Sequence, residues 1–179
     1  MHPRLLVATI VACCLFNFSR PGFAAPQNDA CNLPQDLQRE ISRKYPGSKI
    51  VSLSDLYEDD SKLFQTDHGK DCPGLVKVDF YGDKKETLAL VLTTWEGANQ
   101  KAELIVARRF GESWKTTLLD TAPASVPVVW REKPGHYTDI ESGKVIQAAH
   151  PTIVFCGYNS WAIVYAWTGK GVDKVWIAD

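Results

Sequence analysis

Short apolar runs of the β type dominate the chain from residue 75 onward and recur every eight to twelve positions, with turn residues between them. This spacing is typical of an antiparallel domain. Gly82-Asp83, Gly111-Glu112 and Pro134-Gly135 have the chemistry of tight turns. The strands are predicted near 75–81, 87–95, 101–109, 114–119, 126–131, 144–148, 152–156, 160–167 and 172–177. They predict a meander sheet or a partial barrel.

Helical patterns precede this region. A first helix is predicted to begin at Asn32-Leu33-Pro34 and to end at Pro46-Gly47. A second is predicted after Ser52-Leu53-Ser54-Asp55, which has the form of a capping box. Their apolar faces consist of Leu33, Leu37 and Ile41 in the first helix and of Leu56, Tyr57, Leu63 and Phe64 in the second. The predicted fold class is α+β, mostly β, with two short N-terminal helices followed by the sheet.

The start of the chain has the pattern of a secretory signal peptide. An uncharged apolar run at 5–16 follows Arg4, and Gly22-Phe23-Ala24 offers the small residues that signal peptidase requires. We predict that residues 1–24 are removed and that residues 25–179 form a single domain in the periplasm or outside the cell. A retained anchor would need roughly 20 apolar residues, and Arg20-Pro21 interrupts the run too early. Lipidation at Cys13 is a second, less favoured alternative.

Charge and motifs exclude several function classes. The chain has 20 Lys and Arg residues against 21 Asp and Glu, and removal of residues 1–24 takes away Arg4 and Arg20 but no acid. The mature domain therefore has 18 basic against 21 acidic residues, a net charge of −3. This mildly acidic balance argues against nucleic acid as a partner. No dinucleotide fingerprint or phosphate loop occurs, so we predict no cofactor and no membrane span in the mature form.

The predicted mature chain keeps three cysteines, Cys31, Cys72 and Cys156. An odd number in an oxidising compartment indicates one disulfide and one free thiol, or an intermolecular bond. Cys31 and Cys72 lie in polar, loop-like segments, whereas Cys156 lies in an apolar run. We therefore predict the pair Cys31–Cys72, with Cys72–Cys156 as the alternative.

Two constellations could support hydrolysis. Cys156 lies six residues after His150, and Asp71 follows His68 in a polar loop. An activated thiol needs an accessible, electropositive setting, and the apolar residues before Cys156 supply the opposite. Surface polarity explains the loop of Asp71 and His68 equally well.

Aromatic residues alternate along the strand predicted at 160–167. Trp161, Tyr165 and Trp167 fall on one face, and small apolar residues fall on the other. Packing in the core is the favoured explanation of such a face, and a binding surface for a protein or small ligand is the alternative.

The segment 79–87 resembles the calcium-loop hairpin of FG-GAP and VCBS repeats, in which acidic and glycine residues alternate between two apolar strands. Asp79, Gly82 and Asp83 match that pattern. The resemblance implies Asp79 and Asp83 as metal ligands. Lys84 and Thr87 stand where the pattern has a glycine and a final carboxylate, so we expect no bound metal, because calcium needs six to eight oxygen ligands.

The cysteine-flanking segments Cys31-Asn32-Leu33-Pro34, Cys72-Pro73-Gly74-Leu75 and Phe155-Cys156-Gly157-Tyr158 resemble those of uncharacterised bacterial secreted or periplasmic proteins. The resemblance carries no activity with it. The function predicted from the sequence is that of a non-enzymatic binding protein, such as an envelope accessory factor, an inhibitor or an immunity-type protein. The alternative is a small hydrolase built on Cys156 with His150 or on Asp71 with His68.

Overall fold

A computed structural model describes residues 29–97, 99–123 and 126–178, so the predicted signal peptide at 1–24 lies outside the described part. None of the described helices is long and apolar enough to cross a membrane. The helices are α1, Gln35–Lys44, and α2, Glu58–His68. The strands are β1 Lys49–Ile50, β2 Leu75–Lys77, β3 Thr87–Glu96, β4 Asn99–Phe110, β5 Ser113–Pro123, β6 Val128–Glu132, β7 Gly135–Thr138, β8 Val145–Ala148, β9 Thr152–Gly157, β10 Trp161–Trp167 and β11 Val172–Ala178.

The described strands form two larger antiparallel sheets and one hairpin. In the first sheet, β3, β4 and β5 are a meander, and β1 and β2 pair with successive parts of the same edge of β3. The second sheet has the order β11-β10-β9-β6, while β7 and β8 form the hairpin. The predicted meander is therefore confirmed for β3–β5 and β9–β11, but β6 pairs with β9 across an intervening hairpin. The described strands form separate sheets, so they do not close into a barrel.

The two sheets stack on each other, and each is also covered on its outer face. Successive residues of a strand point to opposite faces, so Val91 enters the core between the sheets while Leu90 packs with α1. In the second sheet, Phe155 faces the shared core, whereas Val154 packs with Phe64 of α2 and with the β7–β8 hairpin. Burial on both faces explains why the central strands are nearly continuous apolar runs.

Two helices precede the main sheet, and both lie within residues 35–68, so the description of them as N-terminal is not confirmed. The capping box of Ser52 and Asp55 forms, yet it closes a short 3-10 turn at Leu53–Asp55, and α2 begins only at Glu58. Tyr57 is 80% exposed, so it does not share the buried face of Phe64. The local hydrogen bonds were predictable, but the break between turn and helix was not.

The predicted disulfide is confirmed, since Cys31 and Cys72 are bonded. It ties the segment before α1 to the turn before β2. Cys156 has a free thiol and is buried, so the alternative pair Cys72–Cys156 does not form.

The two sides of the sandwich are closed differently. On one side β5 lies beside the second sheet, and Asp120 accepts hydrogen bonds from Tyr165 of β10 and Lys174 of β11. On the other side the edge of β2 meets β6, where the Val129 N–H donates to the Pro73 carbonyl at 2.7 Å. Beyond that bond the two edges leave an open cleft.

Candidate functional site

The cleft at the junction of β2 and β6, which we call the seam cleft, has a volume of about 460 Å³. Pro73-Gly74 brings the two sheets together at its base. Gly74 packs against Val51, the residue that follows β1. A Cβ atom at position 74 would lie only 2.6 Å from the Val51 nitrogen. A cleft of this volume falls within the range of small-molecule sites, roughly 300–1,000 Å³.

The walls of the seam cleft combine apolar and polar surface, with apolar side chains in its inner part. Leu75 and Leu88 come from the first sheet, and Phe64, His68 and Trp130 come from α2 and β6. The His68 ring stands between the other two, with its centroid 4.8 Å from that of Phe64 and 4.9 Å from that of Trp130. These contacts hold the C-terminal end of α2 against β6 and line one wall of the cleft with aromatic rings that are tilted by 42° and 35° to one another.

The rim of the seam cleft is charged. Lys77 projects from β2 and Arg131 from β6, and Asp71 lies on the loop after α2. Lys77 Nζ is 3.8 Å from a Glu86 carboxylate oxygen, a loose and exposed pair. No hydrogen bond or ion pair of the Arg131 side chain occurs with any residue that the structure describes. The rim therefore carries two cations and one acid, and Arg131 is the cation that has no bonded counter-charge among the described residues.

A second cavity of about 410 Å³ adjoins the seam cleft and shares Lys77 and Arg131 with it. We call it the head cavity. Its other charged side chains are Asp79, Lys84, Lys85 and Glu86. The acids are already engaged, since Asp79 accepts a hydrogen bond from the Lys84 backbone at 3.1 Å and Glu86 is paired with Arg109 at 3.1 Å. The lysines and Arg131 thus dominate the field inside it.

The other described cavities lack this combination of features. The cavity between α1 and β1 is larger, about 620 Å³, but its one charged side chain, Lys49, is paired with Asp55. The cavity of about 440 Å³ beside the β9–β10 turn contains the acids Asp59 and Asp60. There Asn159 donates to Asp60 at 3.5 Å and Lys62 lies 3.8 Å from Asp59. The seam cleft is therefore the best candidate for a binding site.

His68 and Asp71, predicted together from the sequence, both line the seam cleft. Their link in the described structure is through the backbone, because the Asp71 N–H donates to the His68 carbonyl at 3.3 Å. The His68 ring is held by aromatic contacts rather than by a carboxylate. The structure thus brings the two residues together without forming a hydrogen-bonded acid–base pair.

His150 lies just before β9, and Cys156 lies near the other end of that strand. Cys156 is buried in the core beneath α2, where burial, assisted by the charge of Asp60, raises the pKa of its thiol to about 11. The His150 ring lies against Gly82 in the β2–β3 connection, so closely that a Cβ atom at Gly82 would overlap it. A thiol with this pKa is protonated at neutral pH and is a poor nucleophile.

The aromatic residues of β10 mostly serve the core. Tyr165 is 2% exposed, and its hydroxyl donates to Asp120. Trp161 packs edge to face on Phe155 with centroids 4.9 Å apart, and Trp167 packs on Tyr81 at 5.1 Å. Trp161 and Trp167 remain partly exposed, so a binding role for this face stays a prediction that the packing does not favour.

The hairpin at 79–87 uses its acids internally. Asp83 pairs with Arg108, whose guanidinium carbon lies 4.3 Å from the Tyr81 ring centroid and 5.0 Å from that of Phe110. Within the described residues no group of three or more His, Cys, Asp or Glu side chains is placed to hold a metal. A metal site at Asp79 and Asp83 stays a prediction, and the neighbouring Arg108 already supplies Asp83 with a positive partner.

The β7–β8 hairpin provides one more strongly perturbed acid. Backbone N–H groups of Ser142 and Trp176, together with the Ser142 hydroxyl, lower the pKa of Asp139 to about 2. His136, on the same hairpin, is exposed and forms no pair with Asp139. This acid anchors the hairpin to β11 and has a structural role.

The comparisons with known proteins add no candidate function, because no family model, curated protein or solved structure matches the chain. The function has to be argued from the seam cleft itself. Its central residues Lys77, Trp130 and Arg131 were not predicted from the sequence, since they lie on strands more than 50 positions apart and have no motif around them.

Proposed function

We propose that this chain is a non-enzymatic binding protein of the periplasm or the extracellular space, and that the seam cleft is its binding site. The observation that carries the proposal is the Arg131 guanidinium, which has no partner among the described residues and lies at the mouth of a cleft with the apolar side chains Leu75, Leu88 and Trp130 in its walls. A charged group without a partner contributes little to folding stability, whereas a cleft that combines apolar walls with a few convergent polar groups is the usual form of a ligand site.

A binding role is favoured over hydrolysis because neither proposed pair of catalytic residues has a working arrangement. A nucleophile and its base need to lie within hydrogen-bonding distance of each other. Cys156 is buried and distant along β9 from His150, and the His68 ring is stacked between two aromatic rings.

The extracytoplasmic location is supported by two features. Disulfides persist in oxidising compartments, and the Cys31–Cys72 bond forms one border of the seam cleft, since Cys72 lines it. The apolar run at 5–16 followed by Gly22-Phe23-Ala24 supports export. The subclass, whether envelope accessory factor, inhibitor or immunity-type protein, depends on what occupies the cleft.

The test compares a blocked cleft with an open one. Ala30 lines the cleft and is exposed, so Ala30→Trp should fill it without disturbing the core. Gln38→Trp is the matched control, because Gln38 is exposed beside the cavity between α1 and β1. Residues 25–179 of each variant are incubated with envelope extract, and retained small molecules and peptides are identified by native mass spectrometry.

We expect the unmodified domain and Gln38→Trp to retain the same species and Ala30→Trp to lose it. Equal retention by all three proteins, or retention by none of them, would contradict a binding site in the seam cleft. Thermal unfolding of both variants, expected to match the unmodified domain, shows that a loss of retention is not a loss of fold.

A further inference from the structure

The seam cleft and the head cavity together define the chemical class of the ligand, an inference that rests on the proposed function. The two cavities share Lys77 and Arg131 but differ in lining. One has apolar walls formed by Leu75, Leu88, Phe64 and Trp130, and the other is surrounded by cationic side chains. A ligand that fills both must have an apolar body and an anionic head.

The geometry points to a monomeric anionic amphiphile, with its acyl or aromatic body in the seam cleft and a phosphate or carboxylate head between Lys77, Lys84 and Arg131. Arg131 stands where the two cavities meet, so it contacts the junction of head and body. An Arg guanidinium suits this place, because its planar fork can donate two hydrogen bonds to one phosphate or carboxylate.

The charge balance of the head cavity supports an anionic head. Asp79 and Glu86 are the acids that line it. Asp79 is bound to the Lys84 backbone, and Glu86 is shared between Arg109 and Lys77. The side chains of Lys84 and Arg131 form no ion pair with any described residue. A bound anion would give both a counter-charge, whereas a bound cation would meet an excess of positive charge, because four cationic and two acidic side chains line the cavity.

The apolar body is supported by the shape and lining of the seam cleft. The aromatic wall of His68 and Trp130 faces the aliphatic side chains of Leu75 and Leu88. Burial of an apolar chain between such walls is favourable by about 25 cal/mol per Å² of apolar surface removed from water. The volume of about 460 Å³ holds a single chain rather than the surface of a bilayer.

The experiment measures binding by isothermal titration calorimetry with four probes. The three amphiphiles are used below their micelle concentrations. Dodecyl phosphate has both features, dodecyltrimethylammonium has the opposite charge, octyl glucoside has a neutral head, and inorganic phosphate has no apolar body. We expect one dodecyl phosphate to bind per domain, at least tenfold more tightly than the ammonium probe, which has the same chain length. Inorganic phosphate alone is expected to give no measurable heat of binding.

Variants test whether Arg131 binds the anionic head of the probe. Arg131→Gln should weaken dodecyl phosphate about tenfold and leave octyl glucoside unchanged, and Arg39→Gln, an exposed arginine on α1, is the matched control with no effect. Equal affinity for the phosphate and ammonium probes, or no effect of Arg131→Gln, would overturn the anionic class while leaving the cleft intact. Unchanged binding of every probe by Ala30→Trp would instead contradict the proposed site itself.

Membrane association is the remaining outcome of the test. The domain is mixed with phosphatidylglycerol vesicles and centrifuged. We expect it to stay in the supernatant, because the cleft takes up one amphiphile. Sedimentation with vesicles together with no response to monomeric dodecyl phosphate would overturn the proposal in favour of a membrane surface.

Discussion

Different contacts join the two sheets on the two sides of the sandwich. On the β5–β11 side, Asp120 joins the sheets by accepting hydrogen bonds from the Tyr165 hydroxyl and from Lys174 Nζ, the latter at 2.6 Å. On the β2–β6 side, the backbone hydrogen bond from the Val129 N–H to the Pro73 carbonyl joins the two sheets, and the cations of the rim lack strong partners. On the β5–β11 side the charged groups are paired and join the sheets. On the β2–β6 side Arg131 is not paired with a described residue and lies beside an open cleft, so this is the side that suits a ligand.

The first prediction concerns the disulfide that borders the seam cleft. Replacing both Cys31 and Cys72 by alanine removes a cross-link between residues 41 positions apart. In the chain-entropy model, a loop of this length corresponds to a loss of about 4 kcal/mol in the free energy of unfolding. Urea denaturation of the oxidised domain and the double variant measures the difference. The unmodified domain in excess reductant should match the variant, and a loss below about 1 kcal/mol would show that the stability of the fold does not depend on the disulfide.

The second prediction breaks the β5–β11 side. Burial alone would raise the pKa of Asp120, but the hydrogen bonds from Lys174 and Tyr165 hold it below its usual value. Because the folded pKa is the lower one, this carboxylate stabilises the fold above its unfolded pKa of about 4 and ceases to do so as the pH falls through the folded pKa. Asp120→Asn should cost about 1 kcal/mol at pH 7, discounted for partial exposure.

The pH dependence of stability distinguishes the loss of the Asp120 charge and its hydrogen bonds from a general loss of packing. Urea denaturation at pH 7 and at pH 3 should show the difference between Asp120→Asn and the unmodified domain shrinking at the lower pH. Asp59→Asn is the control, since the Asp59 side chain is 92% exposed, and it should change stability little at either pH. If Asp120→Asn lowers the free energy of unfolding by the same amount at both pH values, the Asp120 charge does not stabilise the fold.

The third prediction concerns Cys156, which belongs to neither side. Because its thiol is buried and its pKa is raised to about 11, we expect no reaction with a thiol-specific dye in the native domain and one reactive thiol after unfolding in urea. Cys156→Ala should cost about 1 kcal/mol, as for the loss of a small apolar contact. Rapid labelling of the native domain would instead revive the hydrolase alternative, and a loss of activity in Cys156→Ser would then identify the nucleophile.

The sequence predicted most of the strands and the disulfide because both depend on local patterns. Apolar runs between turn residues place β3, β9 and β10 within one or two residues of their observed bounds. The stacking of two sheets was not predicted, since continuous apolar runs fit a barrel, a sandwich or a single covered sheet equally well. Hairpin strand β7 was missed because its four residues contain a glycine and no continuous apolar run.

The candidate site was only partly predictable. His68 and Asp71 stood out as polar residues in a loop, and the structure places both beside the seam cleft. Lys77, Trp130 and Arg131 were ordinary strand residues in the sequence, because an edge strand exposes alternate side chains whatever their purpose. What distinguishes them is the meeting of two sheet edges, which is a tertiary contact made by the Val129 N–H and the Pro73 carbonyl.

The last prediction compares the two sides directly with substitutions of similar chemistry. Lys174→Gln removes a cation that is bound to Asp120, and it should cost about 1 kcal/mol of stability. Arg131→Gln removes a cation without a described partner, and it should change stability by less than about 0.5 kcal/mol. Urea denaturation of both variants, with no ligand added, measures the contrast. An equal cost at the two sites would mean that Arg131 stabilises the fold like Lys174, and the argument for a ligand at the seam cleft would then lose its main support.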